Sequence, residues 1–142
     1  MTGLMKKGII ALTVSFLAVS AAAQQPVSAD RFADAVNHWN KEHGAQTYER
    51  YKPDRFREIA DNIVAYQNAD GGWPKNLDML ARLDPDSVKA ALKPRHRLST
   101  LDNANVYTQV EYLSNVYLLT GDTLYRNSAR RGMEYMLSAQ YP

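Results

Sequence analysis

Apolar residues recur at helical spacing along most of the chain beyond residue 30, which predicts a series of amphipathic helices. The first runs from Asp30, as its N-cap, to about Glu42 and buries Phe32, Val36 and Trp39. The second opens at Pro53-Asp54 and ends at Gly71-Gly72, where helix propensity collapses. Its apolar stripe consists of Phe56, Ile59, Ala60, Ile63, Val64 and Tyr66.

Three further helices follow in the second half of the chain. A short one spans Pro85 to Leu92, and Pro94 terminates it. A fourth extends from about Asn103 to Leu119, and a fifth, capped by Asp122, reaches about Ala139. Their inward positions are predicted to be Val106, Val110, Leu113, Val116 and Tyr117, then Tyr125, Ala129, Met133, Met136 and Leu137. No alternating strand pattern of any length occurs, so the sequence predicts an all-α fold.

Two helices end in similar ways at widely separated places. Gln67 and Gln140 lie 73 residues apart, and each closes a helix that follows another helix. A spacing of that size is typical of repeated helical hairpins, each unable to bury its apolar face alone. The sequence therefore predicts a toroid-like arrangement of hairpins that is incomplete at Pro142, because five amphipathic helices would leave apolar stripes uncovered.

The N-terminus has the pattern of an export signal. Lys6 and Lys7 precede twelve uncharged residues from Gly8 to Val19, and Ala21-Ala22-Ala23 supplies a peptidase site. A membrane-spanning helix needs about 20 apolar residues, so this run is too short. We expect residues 1–23 to be cleaved, no membrane span to remain, and the protein to be secreted or periplasmic.

Composition narrows the function. Without Lys6 and Lys7, 15 basic side chains face 15 acidic ones, and this balance argues against a nucleic-acid partner. The chain has no cysteine, which excludes disulfides and cysteine–zinc sites. His38, His43 and His96 lack the spacing of a zinc site or a triad, so none receives a role. These features describe an ordinary globular domain.

Two stretches carry candidate chemistry. In the first, Gly71-Gly72 permits close backbone approach, Trp73 offers a flat face on which a sugar ring can stack, and Lys75 follows as a point charge. In the second, Asp102-Asn103 places a carboxylate beside an amide, which are oxygen ligands suited to Ca²⁺. Each has a structural alternative: a helix end with a core Trp and a solvated Lys, and an N-cap for the fourth helix.

Taken together, the stretches from Tyr66 to Asn76 and from Ser99 to Thr108 resemble the pectate lyases of polysaccharide lyase family 10. The tail from Arg130 to Pro142 is similar to the sequence before a second Gly-Gly-Trp-Pro turn in that family. The family usually has Asp-Asn-Gly-Ala where this chain has Asp102 to Asn105. The resemblance covers about residues 53–142 and implies that residues 24–142 form the N-terminal part of an α/α catalytic domain.

The resemblance also implies calcium-assisted β-elimination of polygalacturonate by a protein that is monomeric when complete. Asp102 would then help to hold Ca²⁺, while Lys75 and Asn103 would contact the uronate beside Trp73. The catalytic arginine is expected in the absent C-terminal half, so this chain would contain no catalytic residue and be inactive alone. No family motif supports Arg95 or Arg97, so we expect them to be solvated loop charges; the alternative is that they add positive field to the cleft.

Other classes stay open at this point. Gln67-(x)3-Gly71-Gly72-Trp73 also resembles the structural Gln-Trp repeat of triterpene cyclases, although the acidic proton donor of those enzymes has no counterpart here. A non-catalytic carbohydrate-binding module would use Trp73 as its platform. An inverting glycosidase would need two carboxylates about 6.5–9.5 Å apart, for which Asp70 and Asp102 are candidates.

Overall fold

The computed structural model describes residues 27–44 and 48–140 of the chain. This part contains five α-helices and no β-strand, which confirms the all-α prediction. The predicted signal peptide, residues 24–26, residues 45–47 and the last two residues lie outside the described ranges. The helices are α1 (Ala33–His43), α2 (Phe56–Tyr66), α3 (Pro85–Ala91), α4 (Tyr107–Thr120) and α5 (Thr123–Gln140).

The start of α1 differs from the prediction. A 3₁₀ turn over Asp30–Phe32 precedes the helix, and the Asp30 side chain makes no capping hydrogen bond, so the N-cap prediction is wrong. The predicted burial of the apolar side chains is confirmed for Phe32 and Trp39, and Val36 is partly buried. The Phe32 ring meets the Tyr112 ring edge-on at 5.5 Å, which docks this N-terminal segment on α4.

Helix α2 provides the centre of the core. It begins at Phe56 and not at Pro53, because residues 52–55 form a turn in which the Arg55 N–H donates to the Lys52 carbonyl at 2.9 Å. Its predicted stripe is confirmed, since Phe56, Ile59, Ala60, Ile63 and Tyr66 are all buried. The helix packs against α3, α4 and α5, so one apolar face organises most of the molecule.

The loop after the Trp73 turn is fixed from two sides. The Asn62 amide on α2 donates to the carbonyls of Met79 (3.0 Å) and Ala81 (2.9 Å). From the other side, Arg50 Nε donates to the buried Asp78 carboxylate at 2.5 Å. A buried carboxylate needs such a partner, because desolvation without one is costly. The loop therefore has a defined path away from the helices.

Helices α4 and α5 form the predicted hairpin around Gly121, which adopts φ 68°. Asp122 accepts a hydrogen bond from the Leu124 N–H at 2.9 Å, as expected of a residue that caps α5. The start of α4 was placed too early at Asn103: positive φ values at Asn103, Ala104 and Val106 delay the helix to Tyr107.

The buried face of α5 also needs a correction. Met133 and Leu137 were predicted to face inward, but they are 45% and 63% exposed. Tyr125, Ser128, Ala129 and Gly132 occupy the buried stripe instead. These positions keep the three- and four-residue spacing, but small residues fill it where α5 approaches its neighbours closely. Among the helices of the described residues, none is long and apolar enough to cross a membrane.

Candidate functional site

The Gly71-Gly72 turn is built by close backbone approach. Gly71 has φ 93°, and a Cβ added there would lie 2.5 Å from the Arg131 carbonyl oxygen on α5. A Cβ on Gly72 would lie 2.6 Å from the Ser99 Cβ atom. Both positions therefore require glycine for steric reasons, and the turn brings α2, α5 and the second motif into contact.

Gln67 fastens the same turn to α5. Its amide nitrogen donates to the carbonyls of Gly71 (2.8 Å) and Ser128 (2.9 Å), while its amide oxygen accepts from the Ser128 hydroxyl at 2.8 Å. Each polar atom of the side chain is used in holding helix ends together. Gln67 consequently has an architectural role in this chain.

Trp73 does not present the sugar-stacking surface predicted from the sequence. Its side chain is fully buried at 0% exposure, and its indole N–H donates to the Ile63 carbonyl at 2.6 Å. A Cβ on Gly132 would approach the Trp73 ring to 2.8 Å, so α5 lies directly against it. The structural alternative was the right one, and Trp73 is removed from the candidate substrate-binding residues.

The two motifs meet immediately after Trp73. Pro74 and Ser99 form an antiparallel bridge, and the Thr100 N–H donates to the Trp73 carbonyl at 3.3 Å. The Asn105 amide then donates to the carbonyls of Trp73 (2.6 Å) and Thr100 (2.8 Å). These bonds carry the second motif across the exit of the first one.

Lys75 and Asp102 are brought together by this crossing. Although 27 residues separate them, the Lys75 ammonium donates to the Asp102 carboxylate. The pair lies at the surface, with side-chain exposures of 42% and 55%. The hydrogen bond from Lys75 holds the pKa of Asp102 below its ordinary value. The site thus presents an ionised carboxylate and a cation side by side.

Asn103 lies next to this pair on a strained loop. Asn103 and Ala104 have φ values of 57° and 56°, and the β-branched Val106 has φ 70°. Asparagine tolerates this region, whereas alanine and especially valine do so at a cost. Because α4 starts only at Tyr107 and Asp102 makes no capping bond, the N-cap alternative for Asp102 is not realised. The loop leaves Asp102 and Asn103 exposed.

Sequence reasoning missed an amide relay beneath the loop. Asn105 uses its nitrogen on two carbonyls, so its oxygen accepts from the Gln109 amide at 2.8 Å. That leaves Gln109 Oε1 buried without a hydrogen-bond partner in the described part of the chain, as is Asn76 Oδ1. Asn76 and Asn105 stand within the motif stretches, and Gln109 follows Asn105 by one helical turn, which was the available signal.

The remaining polar candidates have local roles or none. Asp70 accepts from the Gly72 N–H (3.0 Å) and the Ser99 hydroxyl (2.7 Å), so it shapes the turn. Arg97 donates to the Leu92 and Ala90 carbonyls, both at 2.8 Å, and closes the end of α3. Within residues 27–44 and 48–140, no three His, Cys, Asp or Glu side chains are grouped as a metal site.

Fold and site define an all-α protein whose surface presents a cation and a carboxylate joined across two sequence motifs. Residues 67–142 match the family model for pectic acid lyase. That match covers more than half of the 142 residues, and the chain belongs to the pectic acid lyase family. Neither a search of curated proteins nor one of solved structures found a match.

Proposed function

We propose that this chain is part of a family 10 pectate lyase that binds polygalacturonate for calcium-assisted β-elimination. Family membership supports a lyase acting on pectic acid. The observation that carries the proposal is the exposed contact between Lys75 and Asp102, which joins the two motifs that resemble family 10. An anionic polymer that binds through a cation and a divalent metal requires such a mixed site.

Lys75 is the uronate-binding residue in this proposal. Its ammonium is already directed to a carboxylate, that of Asp102, and it is exposed enough to exchange that partner for a substrate carboxylate. The exchange replaces one charge-assisted hydrogen bond by another of the same kind, so it carries little cost. Asn103, which is exposed on the neighbouring loop, would contact the same sugar.

Asp102 and Asn103 fit part of a calcium site. Ca²⁺ takes about six to eight oxygen ligands, from carboxylates, amide carbonyls and water. A small cavity lined by Asn76, Asn103 and Gln109 lies beside them, and its two buried amide oxygens lack partners in the described residues. Because those residues form no acidic cluster, the substrate carboxylate and water would complete the coordination.

The chemistry divides between this chain and the part that resemblance places beyond it. Ca²⁺ held in part by Asp102 and Asn103 would supply Lewis-acid stabilisation of the charge that develops on the uronate carboxylate when the C5 proton leaves. Lys75 orients that carboxylate and balances its charge. Resemblance assigns proton removal to an arginine outside these 142 residues, so we propose that the chain binds pectate without cleaving it.

The test is calorimetric titration of the 142-residue chain with trigalacturonate, with and without Ca²⁺. We expect calcium-dependent binding that Lys75→Gln weakens about tenfold or more, as loss of a charge-assisted contact predicts. Asp102→Asn should remove the calcium dependence. Lys52→Gln, a matched change on an exposed residue at a different surface, should leave the affinity unaltered.

Two results would contradict the proposal. Absence of any binding with Ca²⁺ present would reject the polygalacturonate assignment. Calcium-dependent binding that survives Asp102→Asn would reject Asp102 as the metal ligand. In parallel, the ultraviolet absorbance of unsaturated products should stay at the background level for the unaltered chain, and appreciable turnover would show that a catalytic group lies within it.

Export completes the proposal. We propose that residues 1–23 are a cleaved signal peptide and that the protein acts outside the cytoplasm as a monomer when complete. N-terminal sequencing of the exported protein should begin at Gln24, and a retained Lys6-Lys7 segment would reject cleavage.

A further inference from the structure

A cavity of about 310 Å³ adjoins the Lys75–Asp102 pair on the side of α1. Lys75 and Asn76 form the wall that it shares with the candidate site, so the two are adjacent. The opposite walls come from Trp39 and His43 on α1 and from the segment after α3 that includes Arg95. Its volume is at the lower end of the range for small-molecule sites, which is about 300–1,000 Å³.

Among the Lys, Arg, Asp and Glu residues that line the cavity, two are cationic and one is acidic, and one of the cations, Lys75, is paired with Asp102. Lys75 and Arg95 line it, and Arg95 has no carboxylate within ion-pair distance among the described residues. Glu42 is the opposing acid in the lining. Arg95 Nε donates to His96 Nε2 at 3.0 Å, which positions the guanidinium at the cavity wall and leaves its other N–H groups for a ligand.

The basic segment around Arg95 therefore separates into different roles. Arg97 is occupied by the carbonyls at the end of α3, and Lys93 does not line the cavity. Arg95 alone among these three faces it. The sequence analysis treated Arg95 and Arg97 alike as solvated loop charges, and the structure distinguishes them, because only Arg95 lines the cavity.

Trp39 adds a second, independent feature. It is buried, and its indole N–H is without an acceptor in the part of the chain that the structure describes. A buried donor that remains unpaired is costly, and a ligand oxygen would satisfy it. The His43 ring stacks on the Trp39 ring at 3.9 Å, so one wall is flat and the other is cationic.

We propose that this cavity is a binding subsite for a second uronate of the same pectate chain that Lys75 holds, with Arg95 binding its carboxylate and Trp39 donating to one of its oxygens. The inference rests on the proposed function, because it takes the polymer bound at Lys75 and follows it along the surface. A uronate suits the walls since it combines one carboxylate with several hydroxyl groups on a compact ring.

The experiment compares monogalacturonate, digalacturonate and trigalacturonate as ligands of the full 142-residue chain in the presence of Ca²⁺. The ratio of the affinity for trigalacturonate to the affinity for monogalacturonate should be about tenfold smaller in Arg95→Gln, while the affinity for monogalacturonate is retained. Trp39→Phe keeps an aromatic ring but removes the N–H, and it should reduce the same gain. Galactotriose, which lacks carboxylates, should show no dependence on Arg95.

Lys93→Gln is the matched control, because it removes a cation two residues away that does not line the cavity. Equal effects of Lys93→Gln and Arg95→Gln would indicate a diffuse field and overturn the subsite. Loss of binding in Lys75→Gln, with no effect of Arg95→Gln on the affinity for any of the three acids, would also overturn the subsite. That result would leave the proposed function standing. No binding of any acid by the unaltered chain would reject both.

Discussion

The two motifs that meet at the Pro74–Ser99 bridge use their residues in opposite ways. From Gly71 to Pro74 the residues are buried, and glycine occupies the two positions where the backbone is approached closely. Around Asp102 and Asn103, the side chains are exposed and the unusual φ values fall on non-glycine residues. The first motif is a joint between helices, and the second is a strained loop that presents polar groups.

This difference shows that the more distinctive sequence motif need not be the one that carries the chemical function. The Gly-Gly-Trp turn is the more distinctive sequence, but its glycines, Gln67 and Trp73 are all occupied in packing and internal hydrogen bonds. Only Lys75, at the exit of the turn, reaches the surface beside Asp102. Strained backbone positions such as Asn103 and Ala104 are found preferentially at binding and active sites. In the function that we propose, the chemistry therefore belongs to the second motif and to Lys75, the first exposed residue after the joint.

The largest effect on stability is expected from Gly71→Ala, which tests whether the first motif is a steric joint. A methyl group there would meet the Arg131 carbonyl oxygen at 2.5 Å, and φ 93° is unfavourable for alanine. We expect the free energy of unfolding to fall by about 3 kcal/mol or more, since backbone strain adds to overpacking. Chemical denaturation monitored by circular dichroism provides the measurement.

Gly121→Ala is the control for that substitution. Gly121 has φ 68°, but an added Cβ would have no neighbour within 4 Å. Only the backbone cost remains, about 1 kcal/mol. Similar losses for the two variants would show that the approach of α5 to the turn is not what requires glycine, and the first motif would no longer qualify as a steric joint.

A smaller effect is expected at Tyr125, which ties α5 to α2 on the joint side. Its hydroxyl donates to the Asp61 carboxylate at 2.8 Å, so Tyr125→Phe should cost about 1 kcal/mol at neutral pH. The Tyr112 hydroxyl is buried without a partner in the described residues, so Tyr112→Phe should be nearly neutral or stabilising. Thermal and denaturant unfolding of both variants make the comparison, and equal losses would contradict it.

The buried tyrosines also make the stability of the protein depend on pH in the alkaline range. Burial, with the Asp61 hydrogen bond, raises the pKa of Tyr125 from 10.0 to about 12, and burial also raises the pKa of Tyr66 and Tyr112. A raised folded-state pKa means that the contribution is complete below the unfolded value and is lost as pH rises above 10. Stability should therefore decline above pH 10, less steeply in Tyr125→Phe, as followed by unfolding at fixed alkaline pH.

Much of the fold followed from periodicity, and the failures have physical reasons. The stripe on α2 was predicted correctly because its inward positions are large and apolar. On α5 the predicted inward residues Met133 and Leu137 were wrong, because the prediction followed apolar character. Apolar character does not reveal that α5 approaches Trp73 so closely that glycine is required at position 132. The late start of α4 was missed since nothing in Ala104 or Val106 signals a positive φ.

The site was predictable in its parts and not in its arrangement. Lys75, Asp102 and Asn103 were selected by charge, ligand type and resemblance, and the structure places them on one surface. Their contact depends on the bridge between Pro74 and Ser99, which carries no local sequence signal. Trp73 was misassigned because an aromatic residue beside glycines is equally suited to a core and to a sugar platform until its burial is known.

Ala104→Gly gives the strained loop of the second motif a glycine like those of the first motif. Glycine removes the backbone strain that alanine has at φ 56°, which should stabilise the folded state by about 1–2 kcal/mol. The greater conformational freedom of glycine in the unfolded chain offsets about 0.4–1 kcal/mol of this gain. A net gain of about 0.5 kcal/mol is expected in denaturant unfolding. Ala90→Gly, the same exchange at an exposed position in α3, should instead destabilise the protein. A loss in both variants would show that the loop is not strained at Ala104.

The smallest effect on stability is expected from the Lys75–Asp102 pair, although it is the centre of the candidate site. Both side chains are exposed, so solvent screens their attraction, and neither Lys75→Gln nor Asp102→Asn should change the free energy of unfolding measurably.

The Lys75–Asp102 pair should instead be visible in a pH titration of Asp102. Because the Lys75 hydrogen bond lowers the pKa of Asp102 beneath its ordinary 3.8, the pair persists above that pH and is lost as pH falls through the lowered value. Nuclear magnetic resonance of the Asp102 side-chain carboxyl carbon should record a midpoint below 3.8 in the unaltered chain and a return toward it in Lys75→Gln. High salt should reduce the difference between the two, since exposed charges are screened. An identical Asp102 midpoint in both proteins would mean that the two motifs do not meet through this pair, whereas a large loss of stability in Asp102→Asn would place the second motif in the framework, and the contrast with the Trp73 joint would disappear.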